Sequence, residues 1–385
     1  APAVPGLGAR ETALAFAGDF FLTQALPERL EPGTGQVFDL MRQAGATFAN
    51  LENGLSTVGS RELGGYRWGG ALRGHPSLVR ELTRIGIDAV SIANNHTCNF
   101  GREALLETLS TLDAAGVRHA GGGRTIEEAF RPARLDVNGL KVAFFSLYSC
   151  HYNRVSQEVA TATLPGLAVA RAYDVLVESP GAFEERNVPP NIFPMRVNAA
   201  ASVMAPLRED VQRLSDAIRA GKGDADLAVL SVHFHWARHT KAGLPYHQRV
   251  IAHAAVEAGI DLFVGHGPHT LRGVEVYRGK PVLFSIGNFI LQRQAPGRPS
   301  PEASHGHQSV IVRAAVADKQ IARLELLPIA IGHDGQPRFA GDDIGRGILH
   351  RLWGLSAEFG TELVRRDWYA ALDLDGRAGT RTAQA

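Results

Sequence analysis

Five short apolar runs in this chain each stop on side chains that a buried strand has no use for. LAFAGD ends on Asp19 and FANLE on Glu52. VSIANNH ends on Asn94, Asn95 and His96, LAVLSVHFH on His233 and His235, and LFVGHGPH on His266 and His269. Each run is apolar on successive residues rather than alternate ones, the pattern of a strand covered on both faces. With VAFFSL (142–147) and VLFSIG (282–287) they make seven candidate strands. Between them lie segments with helical apolar spacing: 75–86, 101–116, 208–221 and 247–259. Three of these helices end on glycine before the next strand, the usual left-handed stop. Alternating strand and helix predicts an α/β layered fold around a core sheet. SVIVRAAV (309–316) and IARLELLPI (321–329), either side of Asp318 and Lys319, predict a hairpin.

In open α/β sheets, ligands bind at the carboxyl ends of strands. Taken singly, each of these endings has an ordinary reading. Asp19 after a glycine fits a turn, Glu52 could pair with an arginine, and Asn94 could cap the helix that follows. Five such endings together predict one shared site. Two carboxylates, an asparagine carbonyl and several imidazoles form an oxygen and nitrogen donor set. That set suits Mn²⁺, Fe or Zn²⁺ rather than thiolate-seeking metals. The donors outnumber the needs of one tetrahedral site, so two divalent ions sharing a carboxylate are expected. Paired metals of this kind serve hydrolytic displacement.

The rest of the sequence bounds the setting. Apolar residues make up 45% of the 385, charged ones 21%, and the formal net charge is +1. Nothing here points to nucleic acid or an anionic membrane surface. No apolar run approaches the ~20 residues of a spanning helix. The opening APAVPGLGARE reads as neither a signal peptide nor an anchor. Cys98 and Cys150 cannot build a disulfide framework, so a reducing, cytoplasmic setting is expected. The expected partner is a small-molecule or polymer substrate.

Residues 150–205 break the rhythm with LPG, SPG and VPPNIFP. Prolines there argue against long regular elements, and the segment reads as a lid or substrate-binding insertion. Tyr148, His151, Tyr152 and Arg196 are its candidate substrate contacts. HAGGGR (119–124) lacks the features of a phosphate-binding loop and reads as a tight connection. HWARHTK (235–241) reads equally as an anion-holding segment or a solvated loop. After 340 the pattern turns helical through GILHRLWGLSAEFGTELVRR, then polar from about 375.

The order GD, NLE, ANNHTCNFG, S-x-H, GHGPHT and FSIGNF, from about residue 13 to 291, resembles the CapA family. That family is named for poly-γ-glutamate capsule synthesis and is related to calcineurin-like metallophosphoesterases. The resemblance implies a four-layer α/β/β/α sandwich over 1–340, with 150–205 as an insertion and 341–385 as a C-terminal helix and tail. It implies Asp19 and His269 as ligands of a first metal, Glu52 as the bridging carboxylate, and Asn95, His233 and His266 as ligands of a second. His96 matches the histidine that stands over the metal pair and assists attack or departure; Asn94 is expected to orient the turn, with an additional metal or substrate contact as the alternative. The chain departs from the pattern at Phe21, where many metallophosphoesterases have His. It departs again at Asn99, where CapA members commonly have Asp, and at Phe234, His235, Trp236 and Ala237, in place of a Trp-Gly followed by an acidic residue. His235, His305 or His307 could complete the first metal site. The expected activity is metal-dependent hydrolysis of a phosphoester or an acyl (amide, ester or thioester) bond. The alternatives are a capsule protein that binds a polyanionic polymer without efficient hydrolysis, and a non-catalytic metal-binding domain.

Overall fold

The computed structural model describes residues 6–8, 10–60, 71–151, 159–177, 201–234, 244–292 and 305–374. Thr12–Phe21 (β1), Ala46–Leu51 (β2), Ala89–Ser91 (β3) and Arg118–Ala120 (β4) lie side by side and parallel. Pro32–Gln43 (α1), Val79–Ile85 (α2) and Gly101–Ala114 (α3) supply their crossovers. The chain then builds a second sheet from Ala133–Val137 (β5), Leu140–His151 (β6), Val169–Val177 (β7), Ala201–Pro206 (β8), Leu227–Phe234 (β9), Leu262–His266 (β10), Val274–Tyr277 (β11) and Lys280–Leu283 (β12). Its order is β8-β7-β6-β9-β10-β12-β11, with β5 on β6. Arg208–Lys222 (α4) and Tyr246–Ala258 (α5) belong to this half.

The chain returns to the first sheet through Asn288–Leu291 (β13), which pairs with β1. Gln308–Ala317 (β14) and Gln320–Ile331 (β15) form the expected hairpin, with Asp318 at φ 47° and Lys319 at φ 62°. Two positive φ values in a two-residue loop match the right-handed twist of the strands. Pro337–Phe339 (β16), Val364–Arg365 (β17) and Ala370–Asp373 (β18) complete the sheet on the β15 side. Asp342–Ala357 (α6) precedes the last two.

The side-chain period of two explains the layering. In β1, Leu14 and Phe16 join a core with Val142 and Phe144 of β6 and Val229 of β9. Phe48 of β2 stacks on Phe16 at 4.9 Å and reaches Phe144 of the other sheet at 4.9 Å. Ala15 and Ala17 face the opposite way, toward Phe38 of α1, Leu82 of α2 and Leu105 of α3. On the second sheet, Leu230 and Val232 pack with Val211 and Leu214 of α4 and Ile251 of α5. The chain is therefore mixed α/β, with apolar clusters between the sheets and on the helix-covered faces.

Three expectations are corrected. The 150–205 segment contains β7 and β8, which extend the second sheet. Pro165 precedes β7, and Pro206, one residue past the segment, is the last residue of β8; the segment's other prolines lie outside the described residues. VLFSIG is not one strand; β12 stops at Leu283, and Gly287 (φ 80°) lets the chain cross to β13 in the other sheet. The helical reading after 340 stops at Ala357, and β17 and β18 follow. Among the described residues no helix is long and apolar enough to cross a membrane.

Candidate metal centre

The carboxyl ends of the parallel strands in both sheets meet at one place. β1 delivers Asp19 beside a backbone irregularity that shifts its register against both β2 and β13. Gly18 permits this approach, because a Cβ there would lie 2.0 Å from the Gly287 carbonyl oxygen. Asp19 is fully buried. Its Oδ1 accepts from Asn50 Nδ2 at 2.9 Å and lies 3.5 Å from His266 Nδ1 and 3.8 Å from His233 Nδ1. Its Oδ2 accepts from the Gly267 N–H at 3.1 Å and lies 3.1 Å from His269 Nδ1. Glu52, one residue past β2, is equally buried, and its Oε1 is 3.6 Å from both His233 Nε2 and His269 Nε2. Donor atoms of Asp19, Glu52 and His233 all lie within 4.8 Å of one another.

The Ile92–Asn99 turn adds three more residues. The Asn94 side chain is spent on the turn itself. Its Oδ1 accepts from the backbone N–H groups of His96 and Thr97, and its Nδ2 donates to Leu51 O and Asn50 Oδ1. Asn95 is buried, and neither polar atom of its side chain has a hydrogen-bond partner among the described residues. His96 is buried with Nδ1 2.7 Å from Asn99 Oδ1 and its ring edge toward Phe21.

The loop after β10 is strained. Gly267 has φ 100° and His269 φ 56°. A non-glycine residue in the left-handed region is uncommon and clusters at functional sites. His269 Nδ1 also lies 2.9 Å from Asn288 Oδ1.

The electrostatics of this cluster follow from burial and from its unlike charges. Burial pushes the Asp19 carboxyl up, but hydrogen bonds from His266 and His269 and the imidazole charges outweigh it, so Asp19 sits well below the usual carboxylate range. Burial pushes His269 down, yet Glu52 and Asp19 lift it to about 9. Burial dominates at His233 and lowers it to about 3, with Asp19 opposing and the other imidazoles assisting. Two buried carboxyl groups thus converge with three imidazoles in one small space. Together with the unsatisfied Asn95 amide, this donor set fits a bound divalent cation.

The other candidates are distributed more widely. The Tyr148 ring is 5.9 Å from that of His233. His151 lies instead against β7, with Nε2 3.4 Å from Asp174 Oδ2. His305 is exposed and His307 half-buried in a short turn, whose Gly306 carbonyl accepts from Asn288 Nδ2 at 2.7 Å. That link to the cluster runs through the backbone rather than through either imidazole. Tyr152, Arg196 and His235 lie outside the described residues. Sequence reasoning missed Asn50 and Asn288. Both pair with Asp19 in the sheet register, from β2 and β13 respectively.

These features define a mixed α/β protein with a buried carboxylate–imidazole cluster, suited to cations, at its strand ends. Residues 13–293 match the family model described as bacterial capsule synthesis protein PGA_cap, and the chain belongs to that family. An uncharacterized protein of Sinorhizobium fredii is 26% identical over 418 residues, covering 91% of this chain and 90% of that one. A probable polyglutamine synthesis accessory protein of Mycobacterium tuberculosis is 26% identical, over 76% of this chain and 68% of that one. The capsule biosynthesis protein CapA of Bacillus anthracis is 24% identical, over 71% of this chain and 54% of its own length.

Proposed function

We propose that the chain is a dinuclear metal-dependent hydrolase, built on the four-layer sandwich of the metallophosphoesterases and acting on a phosphoester or acyl bond. The observation that carries this reading is the buried Asp19, Glu52 and His233 cluster, with donors mutually within 4.8 Å. Asp19 and His269 would hold one ion, Asn95, His233 and His266 the other, with Glu52 between them. The mixed carboxylate, amide and imidazole set favours Mn or Fe over Zn. When bound, such ions supply Lewis acidity and activate water near neutral pH.

The chain's own residues do the rest. The Asn50 amide and the Gly267 N–H hold Asp19 in one orientation. His96, adjacent to Asn95, exchanges a proton with the reacting group. Tyr148, just before the 150–205 insertion, stands near His233 as a substrate contact.

The family description favours a second reading, in which the site binds a polyanionic polymer of the poly-γ-glutamate type and hydrolyses it poorly or not at all. A panel of phosphoesters, acyl substrates and poly-γ-glutamate, assayed with and without a chelator, separates the two. The hydrolase reading expects chelator-sensitive turnover of at least one class, abolished in Glu52→Ala. Retained polymer binding with no turnover by metal-replete protein would favour the second reading.

A further inference from the structure

The Asn99 side chain is gripped from two sides by backbone groups of fixed polarity. The Leu72 N–H donates to its Oδ1 at 2.9 Å, and its Nδ2 donates to the Asn95 carbonyl at 3.2 Å. A backbone N–H can only donate and a carbonyl can only accept, so the two ends of this amide are not interchangeable. The same Oδ1 stands 2.7 Å from His96 Nδ1. An amide oxygen cannot donate, so the hydrogen between them belongs to His96.

We propose that Asn99 is the positioning residue for His96: it fixes the proton on Nδ1, so that the proton exchanged with substrate is the one on Nε2. The proposal rests on the hydrolase reading only for its consequence in turnover. Asn99 works without charge, where a carboxylate would offer the same acceptor to Leu72 and His96. A carboxylate would also turn a second oxygen toward the Asn95 carbonyl, where Asn99 now donates, and would repel it. One neutral amide thus orients His96 and ties down the backbone of Asn95, whose side chain belongs to the proposed second metal site.

The test is the imidazole tautomer, read by two-bond ¹H–¹⁵N correlation on the full chain labelled at histidine. The His96 signals are assigned by their disappearance in His96→Gln. The expected pattern is a protonated Nδ1 in the wild-type chain; a neutral His96 protonated on Nε2 would overturn the proposal, whatever the activity. In Asn99→Ala the Nδ1 pattern should be lost, and kcat on the phosphoester or acyl panel compound that the wild-type chain turns over should fall by about 10–100-fold with KM little changed. Asn99→Ser, which keeps an acceptor oxygen, should recover part of that loss. Unchanged tautomer and kcat in Asn99→Ala would also overturn it. A chain that shows the Nδ1 tautomer yet hydrolyses nothing leaves the positioning in place and counts against the hydrolase reading instead.

Discussion

Asp19 lies among three imidazoles, an asparagine amide and a backbone N–H, and every one of them favours its charged form. Its neighbours separate by role when replaced. His96→Gln should keep fold and metal and reduce turnover by roughly 10²–10⁴-fold, the range for a proton-transfer group. Glu52→Ala should lose metal and activity together. Equal metal loss in both variants would show that His96 has been given the wrong role. Gly267→Ala tests the backbone. Its φ is 100°, and the added Cβ would lie 2.4 Å from the Phe234 carbonyl oxygen. A loss of at least ~1–2 kcal/mol in denaturant unfolding is expected, from the left-handed penalty alone. The strand-end residues were legible because a polar side chain closing an apolar run is conspicuous. Asn50 and Asn288 were not, since each reads as ordinary until the register sets it beside Asp19.

At the scale of elements, the aromatic ladder Phe16–Phe48–Phe144 joins the two sheets. Phe48→Ala should cost about 3–5 kcal/mol, the range for truncating a buried Phe, read as a lower midpoint with unchanged denaturant slope. A loss below about 1 kcal/mol would mean the sheets do not depend on this contact. The helices at 101–114 and 208–222 and the hairpin around Asp318 follow the sequence pattern closely, because local periodicity and turn length decide them. β7 and β8 were hidden by the prolines around them, and β17 and β18 by a helical pattern that continues past Ala357. In both cases pairing with a distant strand decides the outcome, and a single chain stretch does not reveal its partner.

For the whole molecule, the fully buried His233 and His247 and the half-buried His269 shape the pH response of the metal-free chain. His233 and His247 are both held near 3 by burial, so between about 6.5 and 3 the unfolded chain takes up protons that the folded one refuses. Stability should fall with acid in that window, at up to about 1.4 kcal/mol per pH unit for each group. His269, raised to about 9, acts in the other direction: its contribution is complete below about 6.5 and disappears as pH rises toward 9. Denaturant melts of chelator-treated protein should therefore peak near neutrality and weaken on both sides; a flat profile from pH 5 to 9 would contradict this balance. If the strand ends assemble a metal centre, gently purified, chelator-free protein should carry the metal with it. Elemental analysis should find close to two transition-metal ions per chain, Mn or Fe ahead of Zn. At most a trace, persisting after incubation with these ions, would contradict it.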